Sequence, residues 1–140
     1  MARISSKAAS HKKLSKEMMR SVKRALKNAY APYSKVSVAA ALYCGSGRIH
    51  TGCNVENSSY SLTICAERVA LFKAISEGEK RFVLLLIHSP QVDFILPCGA
   101  CLQVLNEFAP DIVIATMNKK NEFHFHPLKA LLVKPFELHK

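Results

Sequence analysis

The sequence predicts an α/β domain of the three-layer α/β/α sandwich kind, a mixed five-stranded sheet flanked by helices. Three observations carry this. Short continuous apolar runs, FVLLLIHS (82–89) and DIVIATM (111–117), alternate with segments of helical period, as strands covered on both faces do. Two alternating segments, VSVAAALYC and RIHTGCNV, are joined by Gly45-Ser46-Gly47 in the pattern of a β-hairpin. With 49% hydrophobic and 21% charged residues over 140 positions, the chain suits one packed core rather than disorder.

The elements follow in order. Residues 1–13 carry no apolar stripe and read as a flexible basic tail, leaving 14–140 as one domain. A first helix runs from about Ser15 to Asn28, with Leu14, Met18, Val22, Leu26 and Tyr30 inward. It stops before Pro32, which biases Ala31 away from helix. The hairpin occupies 36–55. The polar loop NSSYSLT then offers N-caps for a helix near Ile64 to Glu77, with Val69, Phe72, Lys73 and Ile75 in helical period and EGEK as its end. After the strand 82–89, a helix opens at Cys98 and ends by Pro110. The strand DIVIATM, an edge strand EFHFH and a last helix through PLKALLV complete the order. His124 and His126 share one face of that edge strand, which reads as exposed rather than metal-binding.

Charge bounds the partners. The formal net charge is +10, and between Met1 and Lys27 nine basic residues face one acid, Glu17. A polyanion-binding arm or a transit peptide would look like this. The solvated face of an amphipathic helix accounts for the same residues and is preferred, so nucleic acid is not expected as a partner. No apolar run approaches the roughly 18 residues that span a bilayer. Five cysteines, an odd number without a secretory apolar segment, argue against a disulfide framework and for reduced thiols in the cytoplasm.

PCGACLQVLNEF holds Cys98 and Cys101 at the start of a helix. Alone, this C-x-x-C is a redox pair, half of a zinc site or a coincidence. A third cysteine, Cys65 in TICAER, also opens a helix, where unpaired N–H groups and the helix dipole favour thiolate. Two helix N-termini converging over one sheet edge would bring the three thiols together. Three thiolates leave the fourth tetrahedral position of a zinc open, as catalytic sites require. Glu67, two residues after Cys65, then suits a general acid/base. Each residue has a plainer reading: Cys65 as a small buried apolar group, Glu67 as a first-turn acid. Together with C-x-x-C those readings are the weaker account. Cys44 and Cys53 read as buried thiols, the alternative being a fourth zinc ligand that would close the site.

CAE followed by PCxxC resembles the signature of the zinc-dependent nucleoside and nucleobase deaminases, with Cys in place of the His of H-x-E. TGCNVENSSYSLTICAERVA, PYSKVSVAAAL, ISEGEK and PCGACLQVLNEF are similar, in order and spacing, to the short homotetrameric cytidine deaminases, over roughly Ala29 to Phe136. The resemblance implies one Zn2+ per subunit on Cys65, Cys98 and Cys101, with Glu67 as proton shuttle. It implies Asn54 and Glu56 at the ribose hydroxyl and the backbone of Ala66 beside the base. It further implies Val36 in the base pocket, Tyr60 reaching a neighbouring subunit's site, and Phe136 stacking on the base from another subunit. The reaction implied is hydrolytic deamination of cytidine and deoxycytidine to uridine and deoxyuridine, a step of pyrimidine salvage, in a homotetramer with shared sites. A deaminase of modified cytosine nucleosides, or a weakened zinc- or nucleic-acid-binding relative, is the alternative.

Three positions depart from the family pattern. Val36 replaces a Phe, Ala39 replaces a Gly, and Leu102 replaces an Arg that follows the last cysteine. Arginines there donate to sulfur and offset the negative charge of three thiolates on zinc, so Arg68 is left to serve alone. The expected result is an active site with a more electron-rich zinc.

Overall fold

The computed structural model describes residues 2–138, and the side chains of 13–138. Its elements are α1 (Ala2–Leu26), β1 (Ala39–Cys44), β2 (Ile49–Cys53), α2 (Ala66–Ser76), β3 (Phe82–His88), α3 (Gly99–Phe108), β4 (Val113–Met117), β5 (Phe123–Pro127) and α4 (Leu128–Leu131). No helix among the described residues is long and apolar enough to cross a membrane. The five strands form one sheet in the order β2-β1-β3-β4-β5. β1 pairs antiparallel with β2 and β3, β3 pairs parallel with β4, and β4 pairs antiparallel with β5. The parallel pair needs a crossover, and α3 supplies it. The mixed five-stranded sheet and its flanking helices are those expected.

Period-two alternation divides the core between the two faces. Ala39 and Ala41 of β1, Leu86 of β3, and Ala115 and Met117 of β4 face α1, where Met18 and Val22 are buried. Ala40, Leu42, Cys44, Leu85, Ile87 and Ile114 face the other way, against Ala66, Ala70, Leu71 and Ala74 of α2 and Leu102 and Leu105 of α3. Both α2 and α3 therefore lie on one face, which places their N-termini near each other.

Several expectations change. α1 is helical from Ala2 rather than from about Ser15, because nothing between Ala2 and Leu26 is Gly or Pro and the segment is rich in Ala, Lys and Arg. The flexible tail expected over 1–13 falls almost entirely on residues whose side chains lie outside the described ones. Tyr30 lies past the end of α1 and is 53% exposed, so it is not part of the inward stripe. The inward face of α2 is Ala66, Ala70, Leu71 and Ala74, whereas Phe72 and Lys73 are exposed. Close approach is the cause. A Cβ on Gly52 would stand 2.4 Å from the carbonyl oxygen of Ala66 and 2.5 Å from the amide nitrogen of Ala70, so α2 rests on the bare backbone of β2.

β1 and β2 are each shorter than the predicted hairpin because a side chain takes over the pairing. The Asn54 carbonyl oxygen accepts from Val38 N–H at 2.9 Å, and its amide donates to the Val36 carbonyl at 2.8 Å. One asparagine thus ties residues 36–38 alongside 54 without a regular ladder. Glu56 holds the preceding loop in the same manner, accepting from the backbone N–H groups of Tyr33 (2.8 Å) and Ser34 (3.2 Å) and from the Ser34 hydroxyl.

Candidate active site

Cys65 and Cys98 occupy equivalent places. Each is the extended residue immediately before a helix, at φ −76°, ψ 152° and φ −70°, ψ 164° respectively, and neither side chain caps its helix. Their thiols are left to point elsewhere. Cys101 lies three residues after Cys98, so the helical repeat sets it above the same spot. The three Sγ atoms lie within 4.8 Å of one another, with Cys65 and Cys98 3.7 Å apart. All five cysteines are free thiols, and 3.7 Å is far beyond a disulfide bond of about 2.05 Å. Thiolates at about 2.3 Å from a tetrahedral zinc stand roughly 3.8 Å apart, so this donor set fits zinc in both chemistry and spacing.

The electrostatics favour a thiolate. The Cys65 thiol is drawn down to about 5, chiefly by hydrogen bonding from Cys101 and further by Arg68, whose Nη2 lies 3.5 Å from its sulfur. Cys101 moves upward, since donating to Cys65 favours its own neutral form and burial adds to the effect. Arg68 is held more firmly charged by the same sulfur contact. Its Nε is buried without a partner, which leaves the guanidinium committed to the cysteine cluster. Glu67 is 5% exposed, and burial, with the Cys65 charge behind it, raises its carboxyl to about 7.

A cavity of about 150 Å³ opens against this cluster. Cys65, Ala66, Glu67 and Cys98 form one side, and Asn54, Val38, Ile95 and Leu96 form others. A second hollow of about 320 Å³ is lined by Tyr33, Ser34, Glu56, Tyr60 and Thr63. Thr63 lines both, so the two lie side by side. Together they make an elongated site with a thiol-and-carboxyl end and a hydroxyl-and-carboxylate end. Hydrogen bonding from Ser34 keeps Glu56 below its ordinary carboxylate range, and so charged.

The sequence-derived residues are thus sorted. Cys65, Cys98, Cys101, Glu67 and Arg68 come together, and Ala66 and Asn54 line the cavity beside them. Glu56 and Tyr60 line the adjoining hollow, where Tyr60 meets Tyr33 edge-on at 5.6 Å. Val36 does not line the cavity; Val38 does, while the Val36 carbonyl is taken by Asn54. Ala39 points to the α1 side of the sheet and is fully buried there. Phe136 is 70% exposed and lines neither hollow; its backbone is bracketed by Gln103 of α3 through two hydrogen bonds of 2.8 and 3.1 Å. Leu102 is buried in the core beneath α2 and α3. Cys44 and Cys53 stand outside the three-thiol group. Burial pushes the Cys44 thiol up to about 11, and neither residue serves as a fourth ligand to the cluster. His124 stacks on Phe94 at 3.7 Å.

Sequence reading missed Val38, Thr63, Ile95 and Leu96. A signal existed for the last two, since DFILPC leads directly into Cys98 and its apolar residues must cover something.

Comparison with known proteins places these features in context. Residues 12–117 match the family described as the cytidine and deoxycytidylate deaminase zinc-binding region. A cytidine deaminase of Sporosarcina psychrophila is 51% identical over 86 residues, 61% of this chain and 63% of that protein. The aligned part therefore spans less than two thirds of that relative. A probable cytidine deaminase of Dictyostelium discoideum is 49% identical over 104 residues, 74% of this chain and 71% of the relative. The solved structure of cytidine deaminase from Burkholderia pseudomallei superposes with a TM-score of 0.81 at 37% identity, over 86% of this chain and 97% of that one.

Proposed function

The chain belongs to the cytidine and deoxycytidylate deaminase family, and from that premise we propose that it is a zinc-dependent hydrolase converting cytidine and deoxycytidine to uridine and deoxyuridine with release of ammonia. The observation that carries the proposal is the convergence of three thiols and one buried carboxyl on a single cavity, with a hollow of about 320 Å³ bearing Ser34 and Glu56 beside it. A zinc ion held by Cys65, Cys98 and Cys101 would supply a water acidic enough to act as nucleophile near neutral pH.

The chain's own residues supply the rest. Glu67 faces the cavity from the first turn of α2, shielded from solvent, where it can pass one proton of the attacking water to ring nitrogen 3 and then carry the proton of the new carbon-4 hydroxyl to the departing amino group, leaving a carbonyl and ammonia. The backbone of Ala66 forms the wall beside the base. Val38, Ile95 and Leu96 exclude water from it. Asn54 and Glu56 lie along the path from the cavity to the open hollow, which suits them to the ribose hydroxyls. Both already brace residues 33–38, so the same groups that would bind sugar also fix the floor of its site. Arg68 offsets the thiolate charge.

The active species in this reading is a homotetramer with sites shared between subunits. Tyr60 and Leu62 are 74% and 68% exposed around the mouth of the site, Phe72 on the outer face of α2 is 45% exposed, and Phe136, 70% exposed, lines neither hollow of its own chain's site. In this reading the protein acts on free nucleosides in pyrimidine salvage, in the cytoplasm, where thiols stay reduced.

The test is direct. Ultraviolet loss of cytidine and deoxycytidine is followed for the wild type and for Glu67→Gln, with zinc measured on both. Turnover should fall by about 10²–10⁴-fold or more while zinc stays bound. Wild-type turnover in that variant would overturn the role of Glu67.

A further inference from the structure

At the far end of α2 lies a second group of metal-binding side chains that the deamination reading does not use. α2 ends in a Schellman turn. Gly78 adopts φ +92°, its N–H donates to the Ile75 carbonyl, and Glu79 N–H donates to the Ala74 carbonyl at 3.0 Å. That reversal returns Glu79 toward the sheet. There it meets Cys44, the last residue of β1, and His50 of β2, whose neighbour across the ladder is Leu42. The Cys44 sulfur, a His50 ring nitrogen and a Glu79 carboxylate oxygen all lie within 4.8 Å of one another. Cys44 is 0% exposed, His50 4%, and the Glu79 side chain 7%.

We propose that Cys44, His50 and Glu79 form a second zinc site, with water as the fourth ligand, that clamps the C-terminal end of α2 to the β1–β2 hairpin. The donors are a thiol, an imidazole and a carboxylate, the set from which zinc sites are built. His50 Nε2 and Glu79 Oε1 are 3.2 Å apart, close to the roughly 3.3 Å separating a nitrogen and an oxygen at about 2.0 Å from one tetrahedral zinc. The other ring nitrogen, Nδ1, faces Glu77 Oε2 at 3.6 Å. That distance is beyond a hydrogen bond, so Glu77 contributes only its negative charge on that side of the ring. The C-terminus of a helix carries partial negative charge, which favours a cation at this end of α2. Thiolate and carboxylate together balance a dication, whose entry displaces the Cys44 proton. The half-exposed Arg48 neutralises Glu77, and it approaches Glu79 only to 3.7 Å. Ser46 donates to Glu79 at 2.7 Å and orients its carboxylate.

The eleven residues of α2 separate this group from the catalytic cluster by roughly 16 Å along the helix, so the two sites fill independently. The inference also stands apart from the proposed reaction. Protein loaded with excess zinc chloride and desalted is assayed for metal per chain, in wild type, His50→Asn, Glu79→Gln and Cys98→Ala. Two zinc ions are expected per wild-type chain. His50→Asn and Glu79→Gln should each lose one, with cytidine turnover per chain unchanged and a lower melting temperature. Cys98→Ala should lose the other and its turnover. A single zinc per wild-type chain overturns the proposal, and so does retention of the second zinc in Glu79→Gln. That variant lies at the rim of the group and keeps the count readable should His50→Asn fail to fold.

Discussion

Arg68 carries a burden that the sequence around it makes plain. A zinc ion on three thiolates has a formal charge of −1, and with Leu102 buried in the core no side chain follows Cys101 to offset it. Arg68 does so by placing Nη2 3.5 Å from the Cys65 sulfur, while its Nε stays buried and unpaired. Replacing it with Met keeps the length and the packing of its stem but removes the charge and the donor. Zinc affinity should fall about 10–100-fold, measured by competition with a chromogenic chelator, while circular dichroism stays that of the wild type. Unchanged affinity would mean that the thiolates tolerate their charge unaided. The thiol cluster and Glu67 were legible because their chemistry is local: Cys65 and Cys98 each open a helix, and helix N-termini have only a few uses for thiols. Val38 was not legible, because Val36 and Val38 share the parity of one extended segment, and the pattern alone does not say which of them reaches the cavity.

At the scale of elements, everything in the site depends on how closely α2 approaches β2. Gly52 makes that approach possible, since a Cβ there would meet the backbone of Ala66 and Ala70 rather than a side chain able to swing away. Gly52→Ala should therefore push the N-terminal half of α2 outward, shifting Ala66 and its neighbours Cys65 and Glu67 together. Overpacking of this kind costs about 1–3 kcal/mol. The expected outcome is a lower melting temperature with a larger loss in turnover than in zinc content. A variant as stable and active as the wild type would show that α2 is free to slide. Five strands and their order along the chain were readable from apolar runs and from the Gly45-Ser46-Gly47 turn. The inward face of α2 was misread for a physical reason. Val69, Phe72 and Ile75 look like a core stripe, but a helix seated on bare backbone buries its alanines and leaves Phe72 outside.

Across the whole molecule, several of the apolar side chains left outside belong to the segments that frame the site. Tyr60 and Leu62 flank the entrance to the site and follow Val55, which is 42% exposed, in the same connection between β2 and α2; Phe72 projects from the outer face of α2. Grouped apolar exposure of this kind marks a surface that another protein covers. In the proposed homotetramer that protein is a second copy. Leu62→Glu places a charge at this surface without touching the thiol cluster, the Glu67 carboxyl or either core. Light scattering should then report a smaller species, and cytidine turnover should drop together with assembly while zinc remains bound. Were the variant monomeric and fully active, each site would be complete within one chain and the shared-site reading would fail. Were it still tetrameric, Leu62 would lie outside the interface, and Phe72→Glu would have to dissociate the assembly for this surface to keep its role.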